Sequence, residues 1–239
     1  VGDIETHIWS REPRFVLHNI KIGNAEWSKE PLMFEAERID VSVRLLDLLR
    51  LRIVLPELSI DAPKLLLEKN AEGKANWNFF ENPGAAANKA LPNDRNSIPI
   101  IGNLKITNGE VGYADVTREI DTKLKISTVS GEADRQDVSV AGEGTYQKGK
   151  FKIQFTGGSA LQLRDSDKPY PFTLKTTIGD ITAEAEGTVK DPVLLEALDV
   201  TLKLQGANLA DLFPITGIAL PPSPSYSFAG HLTRHGGIW

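Results

Sequence analysis

Apolar and polar residues alternate with a period of two along much of this chain. Successive side chains of a β-strand point to opposite faces, so each such segment is predicted to be a strand with one apolar and one polar face. That is the pattern of antiparallel sheet with one solvated face. The alternating apolar positions are Ile39, Val41 and Val43, then Phe151, Ile153 and Phe155, then Val200, Leu202 and Leu204, then Tyr226, Phe228 and Leu232.

Turn residues recur at short intervals between these segments. They are Asn108-Gly109, Gly142 with Gly144, Gly149, Gly157-Gly158 and Gly179-Asp180. Glycine and asparagine at such points favour hairpins, in which strands adjacent in sequence are adjacent in space. The sequence therefore predicts an all-β, mainly antiparallel fold.

Helix signals are few. Residues 44 to 50 are rich in leucine, which is enough for about two turns. Asn208 is placed to cap a short turn through Leu212, with Pro214 stopping it. We expect one or two short helices, too small to cover a large sheet.

A linker divides the chain. Residues 81 to 97 hold two prolines, little apolar content and no alternation, so they are predicted to be a flexible linker. Residues 1 to 80 then form a strand-helix-strand segment, and residues 98 to 239 form a β-meander. We expect the chain to be a piece of a longer protein, with the sheet continuing past Trp239.

A sheet of this length must bury its apolar face against something. With so little helix, it can close on itself as a sandwich or barrel. Alternatively it can curl into an open trough, filled by lipid or a partner because large exposed apolar patches are unusual on monomers. The alternation alone leaves both solutions open.

Composition limits the chemistry. The chain of 239 residues has a net charge of −5, which argues against a broad grip on nucleic acid, and it has no cysteine for thiolate sites. Its four histidines form no metal-binding motif, and no nucleophile elbow or phosphate loop is present. Glu184 and Glu186 are expected on a solvated strand face. We therefore predict no enzyme activity, no metal and no cofactor.

Two tryptophans follow glycine- and asparagine-containing turns. Trp27 ends Gly-Asn-Ala-Glu-Trp, and Trp77 ends Gly-Lys-Ala-Asn-Trp. Large rings beside turns usually pack against the sheet, so a structural role is expected for both.

At these residues the sequence resembles the AsmA-like family of the Gram-negative envelope. The resemblance begins at Val16 to Trp27 and continues through MFEAERIDVSVRLLDLL (33–49) and PELSIDAPKLLLEKNAEGKANW (56–77). It returns at DVTLKLQGANLADLFPITGIALPPSPSYSFAG (199–230). Residues from about 100 to 195 match only in the style of their strands and turns.

The resemblance implies a periplasmic body held to the inner membrane by an N-terminal helix, which this chain lacks. It also implies a long curled β-groove that shields phospholipid acyl chains, which need an apolar surface and no catalysis. We therefore expect the groove to be lined by alternate strand residues: Ile39, Val41, Val43, Phe151, Ile153, Phe155, Leu174, Val200, Leu202, Leu204, Tyr226, Phe228 and Leu232.

Three functions compete on this basis. The first is a lipid-handling module for transport between the membranes or outer-membrane maintenance. The second is a scaffold that binds envelope protein partners through its sheet edges. The third and weakest is a carbohydrate-active enzyme, which would need paired carboxylates and aromatic platforms.

Overall fold

A computed structural model describes residues 4–7, 12–48, 52–78, 100–130, 136–147, 149–164, 168–190, 197–213 and 218–235. The chain divides into two compact units, Val1–Thr117 and Arg118–Trp239. The predicted linker over residues 81 to 97 lies outside the described residues, so the predicted division of the chain stays a prediction.

The described residues of the first unit form seven strands and one helical turn. They are β1 (Ile4–His7), β2 (Arg14–Gly23), β3 (Leu32–Ser42), α1 (Leu45–Leu48), β4 (Val54–Asp61), β5 (Lys64–Lys69), β6 (Ile100–Thr107) and β7 (Gly109–Asp115). Strands β1, β2 and β3 pair antiparallel in that order. Strand β3 then pairs antiparallel with both β4 and β5.

Two strand pairs in the first unit are parallel, β4 with β6 and β5 with β7. This corrects the prediction of a hairpin at Asn108-Gly109, because β6 and β7 pair with earlier strands and not with each other. A tight hairpin of that type needs two successive residues with positive φ. Here Asn108 alone has one (φ 52°), and Ala62 has the same conformation (φ 46°) between β4 and β5. The chain therefore bends at Asn108 and does not reverse there, since both following pairings are with earlier strands.

The two tryptophan turns of the first unit meet through their asparagines. Asn76 is buried and donates to the Oδ1 atom of Asn24 at 3.0 Å and to the carbonyl of Leu66 at 2.8 Å. Its own Oδ1 accepts from the backbone N–H of Glu68 at 2.9 Å. Both turns are thus tied to β5, since a buried amide is stable only when its polar atoms are paired.

In the part of the chain that the structure describes, the second unit is a meander of seven antiparallel strands. They are β8 (Ile120–Ser130), β9 (Gln136–Tyr146), β10 (Gly149–Gly157), β11 (Tyr170–Ile178), β12 (Ile181–Lys190), β13 (Ala197–Gly206) and β14 (Tyr226–His235). Each pairs with its sequence neighbours, and the described strands β8 and β14 do not pair with each other, so this sheet does not close into a barrel.

Short 3₁₀ helices occupy two connections of the second unit. One spans Ala160–Arg164 and the other Leu209–Leu212. Asn208 caps the second, as predicted, by accepting from the backbone N–H of Ala210 at 3.0 Å. The prediction of an all-β, mainly antiparallel fold with one or two short helices is confirmed.

The strand glycines of the second unit lie on its apolar face. Gly142 and Gly144, predicted as turn residues, lie within β9 directly opposite Ile153 and Phe151. At Gly187 (φ 156°) a Cβ atom would lie 2.0 Å from the carbonyl oxygen of Asp199. Glycine within a strand marks a bend or a close backbone approach, so these positions favour curvature toward the apolar face.

We predict that Gly187→Ala lowers the free energy of unfolding by about 2 kcal/mol, because the methyl group meets backbone and the φ value is unfavourable for alanine. Gly230→Ala is the matched control, since a Cβ atom there meets nothing within 4 Å. Urea denaturation followed by circular dichroism measures both. Equal losses in the two variants would contradict this account.

Candidate functional site

The candidate site is the apolar face of the sheet in the second unit. Residues directly opposite one another in neighbouring strands share a face, so the strand registers define rows across the sheet. One row contains Ile126, Val140, Phe155, Leu174, Ala185 and Leu202. The next contains Leu124, Gly142, Ile153, Thr176, Ala183, Leu204 and Phe228.

The structure brings the predicted residues of this unit onto that one face. Phe151, Ile153 and Phe155 share it with Leu174, with Val200, Leu202 and Leu204, and with Tyr226, Phe228 and Leu232. Seven strands about 4.8 Å apart give the face a width of roughly 29 Å. It is therefore a continuous apolar surface and not a compact pocket.

A second apolar face lies in the first unit. Ile39 shares a row with Leu17, Ile60 and Ile106, and Val41 shares one with Phe15, Leu58 and Leu104. Val43 lies one residue beyond the end of β3, where its backbone N–H donates to the carbonyl of Pro13 at 3.0 Å. It therefore does not occupy a strand position.

Burial shows that the face in the second unit is only partly covered. Phe151, Ile153, Phe155 and Leu174 are half-buried. Toward the last strand the exposed fraction rises to 39% at Leu202 and Leu232 and 56% at Phe228. Side chains in a closed dry core would be almost fully buried. The face is therefore open to molecules that could cover it.

Sequence reasoning missed several members of this face. Val138, Phe172, Ile181 and Val189 lie on it, and all but Phe172 are buried. The signal was present, because Val138 and Val140 continue the alternation that Gly142 and Gly144 complete in β9. Treating glycine as a turn residue hid that strand.

Tyr170 holds one end of the face. It is 4% exposed, and its hydroxyl donates to the carbonyl of Gly158 at 2.8 Å, which ties the start of β11 to the connection after β10. Burial, and to a smaller degree the nearby charge of Asp137, raises the pKa of Tyr170 to about 12. The neutral hydroxyl is thus the form that the fold stabilises.

The opposite face carries charges in cross-strand pairs. Lys175 contacts Glu184 at 2.8 Å, and His231 contacts Asp199 at 3.0 Å. The hydrogen bond and charge of Lys175 lower the pKa of Glu184, whereas a general acid needs a raised one. These pairs are exposed and keep this face solvated.

The polar face of the first unit is not simply solvated. Asp40 is buried and accepts hydrogen bonds from Arg14 and from Arg38, the latter at 3.1 Å. Ser42 is also buried and accepts from the backbone N–H of Glu57 at 2.9 Å. Asp40 and Ser42 therefore both have hydrogen-bond partners, as buried polar groups in a stable sheet require.

Within the described residues, no group of three or more histidine, aspartate or glutamate side chains is placed to hold a metal ion. None of the described helices is long and apolar enough to cross a membrane.

Comparison with known proteins places this geometry in context. The profile of the AsmA family matches residues 2–235. The AsmA family protein YhjG of Escherichia coli (strain K12) is 25% identical over 246 residues, covering 94% of this chain and 35% of that protein. The chain thus spans about a third of its relative's length. No solved structure matches the chain significantly.

We predict that Tyr170→Phe costs about 1 kcal/mol at neutral pH, because the carbonyl of Gly158 loses its donor. The pKa of Tyr170 is raised in the folded state, so the stabilisation by its neutral hydroxyl is complete below pH 10 and is lost as pH rises through about 12. The free energy of unfolding, measured from pH 9 to 12, should therefore fall less steeply in the variant than in the wild type. Parallel curves for the two proteins would contradict the prediction.

Proposed function

The chain belongs to the AsmA family, and we propose that it is a non-catalytic lipid-handling module of the bacterial envelope. In this proposal phospholipid acyl chains lie against the apolar sheet faces. The module contributes to lipid transport from the inner to the outer membrane, or to outer-membrane maintenance. AsmA family members are envelope proteins and are not known as enzymes. This supports the envelope location and the non-catalytic role in the proposal.

The observation that carries the proposal is the shared, half-open apolar face of the second unit. Its rows are built from aliphatic and aromatic side chains with glycines between them. Acyl chains need such a surface and no fixed polar partners. Each CH₂ group moved from water onto it contributes up to about 0.8 kcal/mol, so a chain can be held without chemical specificity.

The structure also explains how such a surface could stay soluble. The other face of the same strands carries the exposed pairs Lys175–Glu184 and Asp199–His231. Neighbouring residues of a strand point to opposite faces, so the alternation separates the face that would contact lipid from the face that contacts water. Lipid on one side and water on the other are both accommodated.

We further propose a periplasmic location, with the longer protein anchored to the inner membrane by a helix upstream of this chain. Support comes from family membership and from the relative of which this chain spans about a third. The groove-lining residues, from Ile39 to Leu232, are part of the same proposal.

A scaffold for outer-membrane biogenesis is the second candidate. Strand β14 pairs with β13 on one side and with no other described strand, and the exposed Phe228 lies on it. An open edge strand can bind a partner strand through its backbone. This alternative predicts a folded protein that carries little lipid and captures envelope proteins.

We predict that Ile153→Asp sharply reduces the phospholipid that co-purifies with the chain from a bacterial periplasm, because it places a charge on the apolar face. Phe228→Asp tests the same face at a residue already 56% exposed, so the fold should survive. Gln154→Asp is the matched control, one residue along the strand on the exposed polar face. Mass spectrometry of extracted lipids gives the readout.

Thermal unfolding of each variant separates lost binding from lost folding. A wild-type protein that is folded but lipid-free would overturn the lipid proposal and favour the scaffold. Collapse of Ile153→Asp together with unchanged lipid in Phe228→Asp would show that the face is closed core.

A further inference from the structure

Among the described residues of the first unit, four large apolar side chains are exposed around the connection between β3 and β4. The exposed fractions are 40% for Leu45, 64% for Leu46 and 50% for Ile53, and Ile100 at the start of β6 is 37% exposed. Ile100 adjoins Ile53 because its backbone N–H donates to the Ile53 carbonyl at 2.9 Å. Clustered exposed apolar residues mark an interaction surface, whereas scattered ones do not.

Backbone hydrogen bonds join the described residues on the two sides of this connection. The N–H of Arg44 donates to the carbonyl of Val54 at 3.0 Å, and the N–H of Arg52 donates to the carbonyl of Asp47 at 3.0 Å. Val54, one residue after Ile53, is buried. Leu45 and Leu46 are therefore exposed next to a packed strand start.

The segment from residue 44 to 54 is basic in sequence, whereas the whole chain is acidic. Residues 44 to 54 contain three arginines and one aspartate in a chain of net charge −5. Arg44 pairs with Glu12 at 3.1 Å and lies 3.8 Å from Asp47. Arg52 is exposed and forms no ion pair with any described residue, so its charge is available to a partner.

We propose that this surface docks onto a bilayer containing anionic phospholipid. We call it the leucine–arginine patch and define it as Leu45, Leu46, Arg52, Ile53 and Ile100. Apolar side chains beside a cation match a membrane interface, because the apolar groups enter the acyl boundary while the guanidinium meets lipid phosphate.

The exposed apolar residues between β13 and β14 lie in a segment without basic residues. Phe213 and Ile218 are 53% and 60% exposed, but residues 207 to 225 contain no lysine or arginine and one aspartate. An anionic bilayer would not favour that segment. Charge complementarity thus favours the leucine–arginine patch over that segment.

The patch also lies at the end of the apolar face of its own unit. Ile100 shares its face with Leu104 and Ile106 along β6, and Val54 shares it with Leu58 and Ile60 along β4. Docking there would bring the edge of a bilayer next to that face. The inference goes beyond the lipid-binding proposal and does not depend on it.

The test is flotation of the full chain with vesicles of equal parts phosphatidylethanolamine and phosphatidylglycerol. Leu46→Asp and Ile53→Asp should each weaken binding about tenfold, since each places a charge at the acyl boundary. Arg52→Gln should weaken it about fivefold on these vesicles and leave binding to pure phosphatidylcholine unchanged. Val116→Asp is the control, since Val116 is 61% exposed outside the patch.

Absence of vesicle binding by the wild-type chain would overturn the inference. So would equal binding by Leu46→Asp and the control, or binding that Arg52→Gln leaves unchanged. Because Ile153→Asp leaves the patch intact, it should float like the wild type even where it loses co-purified lipid. Failure of the lipid-binding proposal and failure of membrane docking are therefore separate results.

Discussion

The constraint on which this structure depends is that every strand must keep its apolar residues on the same face as its neighbours. In the second unit that parity runs unbroken from Leu124 in β8 to Phe228 in β14. A slip of one residue in any pair would move a whole strand's apolar set to water. Glycine follows the same parity, since Gly142, Gly157 and Gly187 replace side chains only on the apolar face. The face is thus defined both by the apolar side chains that it has and by the Cβ atoms that it lacks.

Much of this could be predicted from local sequence, because alternation is a property of single strands. The segments at 151–155 and 200–204 identify their own apolar residues without knowledge of any partner. Partner choice is different. The parallel pairing of β4 with β6 joins residues on either side of the predicted linker, and no local signal specifies it. Asn108 shows this limit, since Asn-Gly suits a hairpin, whereas β6 and β7 pair with earlier strands and the chain only bends there.

The candidate site likewise combines features that local sequence predicts with features that depend on strand pairing. Parity within strands predicted ten of its residues, but their meeting on one face depends on registers that the short turns fix. Val138 and Val140 were missed because glycines interrupt the apolar spacing that would have identified β9. The Asn24–Asn76 contact was beyond sequence reasoning, since it joins turns 52 residues apart through a buried amide. The leucine-rich segment after β3 is predicted as a helix, and the structure has one helical turn there, Leu45–Leu48, with Leu45 and Leu46 exposed.

Binding of an acyl chain to the sheet and docking of the sheet on a bilayer both depend on apolar contact, but in different ways. An acyl chain held only by apolar contact gains free energy in proportion to the area covered, so no single residue fixes its position. An acyl chain can therefore shift along the face in small steps, each of which exposes little apolar surface to water. Entry of an acyl chain onto the face is harder, because the acyl chain must leave a bilayer without crossing polar surface. In the first unit the exposed Ile53 and Ile100 lie at the end of strands whose Leu58 and Leu104 line the apolar face. A bilayer docked at that end would contact these apolar side chains first. An acyl chain that leaves the bilayer there would therefore pass through less water before it reached the apolar face.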